Sequence, residues 1–142
     1  MKKLLNEKFV KQSIIEWLYR HNWGRNLRTG ELRDRGVDIK IRHNNYPRYF
    51  LIETKGEGSA SSRSQKSQRE THFVYGLGQI ITRMETGARY YYGLGLPESS
   101  ARIAMRRLPW QVAKKLLLYV FSVDHDGKVK QYSWQDLRKF QK

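Results

Sequence analysis

Hydrophobic and polar positions along this chain recur with two periods, and the changes of period mark its elements. Between Asn6 and Asn22, the residues Val10, Ile14, Trp17 and Leu18 share one helical face, and Gly24 stands just past the end. A strand or turn is expected around Leu27 to Leu32. Gly36-Val37-Asp38-Ile39-Lys40-Ile41-Arg42 alternates strictly between apolar and polar, the pattern of a strand. His43 to Pro47 carries turn residues, and Arg48 to Lys55 reads as the returning strand. Gly56 to Gln68 is rich in Ser, Gly and basic residues without apolar spacing, which predicts a mobile loop. A helix is then expected from about Arg69 to Thr86. Its core face holds Phe73, Leu77, Ile80, Ile81 and Met84, and a polar stripe of His72, Tyr75, Gln79 and Arg83 lies opposite.

The rest of the chain repeats the alternation of strand and helix. Arg89 to Leu96 is aromatic and β-prone. Ser99 or Ser100 can cap a short basic helix through Leu108, broken at Pro109 and resumed from Trp110 to Lys115. Leu116 to Val123 and Lys128 to Ser133 form strands joined at Asp126-Gly127, a hairpin signal. Ser133 is placed to cap a last helix, Trp134 to Phe140. No repeat or composition break divides residues 1–142, so a single domain is expected. The fold class is α/β, an α+β mixed sheet flanked by helices.

Composition narrows the function. Hydrophobic residues make up 39% of the chain and aromatic residues 13%, enough for a packed core. No apolar run is long enough to span a bilayer, and the polar turn after Leu5 argues against a signal peptide. Cysteine is absent, which excludes disulfides and thiolate metal sites and makes a reducing cytoplasm the expected location. The 28 Lys and Arg outnumber the 13 Asp and Glu, giving a net charge of +15 spread along the whole chain. A folded surface so basic points to a polyanion, above all nucleic acid, since counterion release drives that association. No basic segment has a strong lipid-facing side, so a membrane is not the expected partner.

The chemistry sits in the hairpin. Symmetric pairing about a turn centred between Asn45 and Tyr46 sets Asp38 directly across from Glu53, about 5 Å apart at Cα. Two carboxylates that close repel, and something positive between them relieves the repulsion. Period-2 alternation adds Lys55 to the face of Glu53, while Val37, Ile39, Ile41, Phe50 and Ile52 form an apolar layer on the other face. A hard dication such as Mg²⁺ needs only a few carboxylate oxygens and keeps its remaining waters. The plainer alternative is an ion-pair ladder on a solvated sheet face.

Asp38, fourteen residues, then Glu53-Thr54-Lys55 resembles the PD-(D/E)XK motif of the restriction-endonuclease-like nucleases. The similarity spans residues 6 to 96 and includes Gly36-Val37-Asp38, Ile52-Glu53-Thr54-Lys55-Gly56 and the helical Gly78-Gln79. The proline that often precedes the first acid is missing. The resemblance implies a restriction-endonuclease-like core and a Mg²⁺-dependent endodeoxyribonuclease, with Mn²⁺ as a substitute cation and no small-molecule cofactor. Asp38 and Glu53 would hold the metal with help from the Thr54 carbonyl, and Lys55 would position or deprotonate the attacking water. A helix-one acid is also implied. Glu7 is favoured over Glu16, because Glu7 falls towards the apolar stripe and the Glu7–Val10–Leu18–Trp23 spacing resembles the first helix of type I restriction subunits. Gln79 matches a frequent family glutamine, but Arg83 stands where a tyrosine often follows.

Further contacts to DNA are expected from Arg63, Lys66, Arg69, His72 and Arg83. Arg102, Arg106, Arg107, Lys114 and Lys115 form a second basic cluster suited to general steering. Tyr90-Tyr91-Tyr92 is better suited to sheet packing than to base stacking. Duplex or branched DNA is the expected partner, with RNA left open. A chain of this size has little room for a specificity module, so a homodimer or a targeting subunit also stays open. The rival readings are a non-cutting nucleic-acid-binding module of the same fold and an RNA-binding protein of unrelated fold.

Overall fold

The computed structural model describes residues 5–24, 37–57, 62–85, 87 and 89–142, the side chains of 62–66 excepted. Asn6 opens α1 (Glu7–Arg20) by accepting a hydrogen bond from the Phe9 amide at 2.8 Å, as an N-cap should. The antiparallel strands β1 (Ile39–Arg42) and β2 (Tyr49–Thr54) follow. Helix α2 (Ser62–Thr82) then carries the chain across to β3 (Tyr90–Pro97). Helices α3 (Glu98–Arg107) and α4 (Trp110–Leu116) lead to β4 (Leu118–Val123), which turns back into β5 (Val129–Tyr132) before α5 (Trp134–Gln141).

The sheet has five strands in the order β1-β2-β3-β4-β5. Hairpins make its two outer pairs antiparallel, whereas the helical crossovers make β2–β3 and β3–β4 parallel. Val10, Ile14 and Leu18 of α1 pack on one face, against Ile39, Ile41, Phe50, Ile52 and Phe121. Phe73 and Ile80 of α2, with Ile103 of α3, Ala113 of α4 and Leu137 of α5, cover the other face over Leu51, Leu94, Leu96 and Val120. Each fully buried Leu, Ile or Phe in these layers is worth about 2 kcal/mol of burial free energy. The expected mixed α/β architecture is therefore present. Ser133 opens α5 with a capping box to Asp136, and Gly127 takes the positive φ that the β4–β5 turn requires.

Several local expectations are corrected. The expected loop 56–68 is helix from Ser62 onward, because Arg, Gln and Lys support helix even where no apolar stripe marks it. Neither serine caps α3; Pro97 is its N-cap residue, with no side-chain cap bond, because the helix starts straight off β3. Val37 belongs to the α2 side of the core, not to the layer of Ile39 and Ile41. Ile81 is 43% exposed, since α2 is rolled so that its Gln79 and Arg83 side turns towards the sheet and is half-buried. The segment Leu27 to Leu32 lies outside the described residues.

Candidate active site

The hairpin register is the one that a turn centred between Asn45 and Tyr46 requires. Ile39 pairs with Ile52, Ile41 with Phe50 and Arg42 with Tyr49, and the His43 amide donates to the Arg48 carbonyl at 2.8 Å. One more step along this register brings Asp38 opposite Glu53. Asp38 is tied there by the Thr54 backbone amide (2.8 Å) and hydroxyl (3.1 Å), both donating to its Oδ2. One carboxylate thus closes the hairpin end and faces the other.

The acid on β2 is not solvated. Glu53 is 2% exposed, under α2 and beside Leu51, so a water-exposed ion-pair ladder does not describe it. Its partner is Arg83, whose Nη1 donates to Glu53 Oε1 at 2.5 Å. The end of α2 is pinned by Tyr92, whose hydroxyl accepts from the Glu85 amide and donates to the Glu85 carbonyl, both at 2.9 Å. That clamp sets where Arg83 leaves the helix. Arg83, expected on DNA, is engaged with the buried acid in this structure, and its side chain is 36% exposed.

Burial pushes the Glu53 carboxyl up from its ordinary 4.5 to about 7, and a hydrogen bond to Asp38 and repulsion by it act in the same direction. Arg83 pulls the other way and loses the contest. The folded chain therefore prefers protonated Glu53, so this contribution to stability is complete below about 4.5 and is lost as pH rises to about 7. The slope approaches about 1.4 kcal/mol per pH unit within that window. Urea titrations across the window in EDTA should show wild type losing stability relative to Glu53→Gln. Parallel pH profiles for the two proteins would refute the assignment.

Lys55 follows directly on β2, held by its amide's 3.0 Å hydrogen bond to the Gly95 carbonyl. Its side chain lines a concavity of about 320 Å³ together with Glu7, His72 and Tyr75. Two bonds strap the start of α1 to this strand end: Glu57 amide to Leu5 carbonyl (2.6 Å) and Leu5 amide to Glu57 Oε1 (2.7 Å). Gly56 makes the approach feasible, since a Cβ there would run into the backbone of Asn6 and Glu7. Glu7 thereby stands near Lys55. It is exposed at the first helical position and not directed into the apolar stripe, because Asn6 rather than a buried acid begins the helix.

The other expected residues divide. Glu16 is exposed and accepts a long 3.4 Å bond from Gln12, away from the hairpin acids on its own helix face. Gln79 lies half-buried on α2, one turn before Arg83, and its Oε1 is buried without a hydrogen-bond partner. His72 is half-buried in the concavity. Arg69 lines a neighbouring cavity of about 520 Å³ with Arg102, Arg106 and three glutamates. Arg63 and Lys66 fall on the first turns of α2, and their side chains lie outside the described residues. Tyr90, Tyr91 and Tyr92 are occupied within the sheet: Tyr90 stacks on Tyr49, and Tyr91 meets Phe50, Tyr119 and Trp23. The Arg83–Glu53 pair and the Gly56 contact had no signal in the one-dimensional pattern, because each joins elements that only the fold brings together.

Among the described residues, no three His, Cys, Asp or Glu side chains converge as a metal cluster, and no helix is long and apolar enough to cross a membrane. Comparison of the chain with family profiles, curated proteins and solved structures finds no match.

Proposed function

We propose that this chain is a metal-dependent endonuclease of the PD-(D/E)XK type that hydrolyses phosphodiester bonds in DNA. The observation that carries the reading is the placement of Asp38 against a buried Glu53 at the end of β2, with Lys55 two residues on. A buried acid whose ionisation is disfavoured by burial and by the carboxylate beside it, in a chain of net charge +15, suits a cation brought in with an anionic backbone. The donor set fits Mg²⁺, or Mn²⁺ in its place: hard carboxylate oxygens from Asp38 and Glu53, with the Thr54 carbonyl on the same strand end. With Asp38 and Glu53 as its carboxylate ligands, much of the coordination shell is left to water and phosphate oxygens.

Bound there, Mg²⁺ would polarise the phosphoryl group and lower the pKa of a coordinated water. The chain's own residues do the rest. Asp38 and Glu53 fix where negative charge is tolerated, and the Thr54 donors hold Asp38 in register. Lys55 places a positive charge beside the concavity, where it can orient the attacking water and offset charge building on phosphorus. Glu7 faces the same space, suited to positioning or proton transfer. Arg83 balances Glu53 while the site is without a cation, and once released it is available to a phosphate. A sheet covered on both faces keeps the pair rigid, as such a site requires.

The test is direct. Supercoiled plasmid incubated with the purified chain should be nicked in Mg²⁺ or Mn²⁺ and left intact in EDTA. Retention of the plasmid on the protein without nicking under either cation, on duplex and branched DNA alike, would instead identify a binding module.

A further inference from the structure

Tyr75 is the most exposed large hydrophobic side chain among the described residues. It is 65% exposed on α2, and among the described residues its ring meets no other ring and its hydroxyl has no hydrogen-bond partner. The tyrosines of the sheet show the contrast, since Tyr49, Tyr90, Tyr91 and Tyr119 are each in ring contacts. Exposing a side chain this apolar gives up burial free energy, and here it does so inside a concavity. Tyr75 forms a wall of the same space of about 320 Å³ that holds Lys55, Glu7 and His72. Gly78, three residues along the same helix, also faces open space, since a Cβ there would meet nothing within 4 Å.

We propose that Tyr75 is a stacking platform for an unpaired nucleobase next to the phosphate engaged by Lys55. The inference rests on the nuclease reading for its ligand and narrows the substrate class. A base inside a duplex has both faces covered by its neighbours, whereas stacking on a side chain needs a free face. A concavity of this size admits a nucleotide unit. The preferred nucleic acid therefore carries an unpaired nucleotide beside the phosphate that Lys55 engages, as an overhang, gap or branch does. Lys55 supplies the charge for the phosphate, and the half-buried His72 bounds the space on the same helix face.

The experiment uses the full chain in EDTA, so that binding is read without cleavage. The probes are a duplex with a single-stranded overhang bearing 2-aminopurine and the same sequence fully paired. Wild type should quench the overhang fluorophore. Tyr75→Ala should lose the quenching and bind the overhang about tenfold more weakly, equivalent to about 1.4 kcal/mol, which lies within the range for one stacked base. Its affinity for the paired probe should be unchanged, and Tyr75→Phe should behave as wild type. Because the side chain is exposed, thermal melting should not move. Equal affinity of Tyr75→Ala and wild type for the overhang, or equal losses on both probes, would overturn the proposal. Cleavage of the same oligonucleotides in Mg²⁺ separates the two claims. Differential binding without any cutting overturns the nuclease reading alone, and cutting that ignores Tyr75 overturns the stacking alone.

Discussion

Asp38→Asn should reduce the initial rate of plasmid nicking in Mg²⁺ by about a thousandfold, the scale of losing a central electrostatic group in a preorganised site. The substitution isolates charge from architecture. Asp38 Oδ2 accepts from the Thr54 amide and hydroxyl, and an asparagine side-chain oxygen can accept the same two bonds. The hairpin end should therefore survive, which a cooperative melt within a few degrees of wild type would verify. Removing the charge also removes the repulsion that raises Glu53, so the variant should be no less stable near neutral pH. A variant that folds and still cuts within tenfold of wild type would show that the hairpin acids do not form the site.

Gly56→Ala should be the most damaging conservative change near the site. The added methyl would meet the Asn6 and Glu7 backbone, which cannot swing aside as a side-chain tip can. The start of α1 must then lift from the end of β2, straining the Leu5–Glu57 bonds and moving Glu7 away from Lys55. A loss of about 3 kcal/mol in urea unfolding is expected, the upper range for overpacking. Any folded fraction should cut poorly. Stability within about 0.5 kcal/mol of wild type, the range of an ordinary surface substitution, would refute this account of the junction.

The same junction shows how far the sequence reaches. The hairpin was legible because two local signals agreed: turn residues from His43 to Pro47 and strict alternation on either side. They placed Asp38 against Glu53 without further help, and the pairing of Ile39 with Ile52 obeys that register. Ser133 and Asp126-Gly127 were legible for a similar reason, each being a short motif whose partner lies within a few residues. Glu7 was only half legible. Helical periodicity put it on the apolar side of α1, but a residue in the first turn projects past the layer it is aligned with, into the concavity.

Helix α2 marks where the reading failed. Its first turns lack the apolar spacing that announces a helix, so their Ser-rich composition reads as a loop. Its roll about its own axis was also out of reach. The sequence shows two candidate faces, and the choice depends on the sheet that receives the helix. The outcome buries Phe73 and Ile80, leaves Ile81 exposed and brings Arg83 to an acid thirty residues earlier in the chain. Nothing local in Arg83 distinguishes a ligand-facing cation from one that neutralises a buried carboxylate. Only the distance does.

The central claim is that Asp38 and Glu53 together hold a divalent cation, and Mn²⁺ titration followed by electron paramagnetic resonance tests it most directly. At pH 8, where Glu53 is ionised, wild type should suppress the free Mn²⁺ signal with a saturable stoichiometry of about one, as one hard-cation site predicts. Glu53→Gln, folded and measured at the same concentration, should leave that signal essentially undiminished. Equal suppression by both proteins would contradict the account.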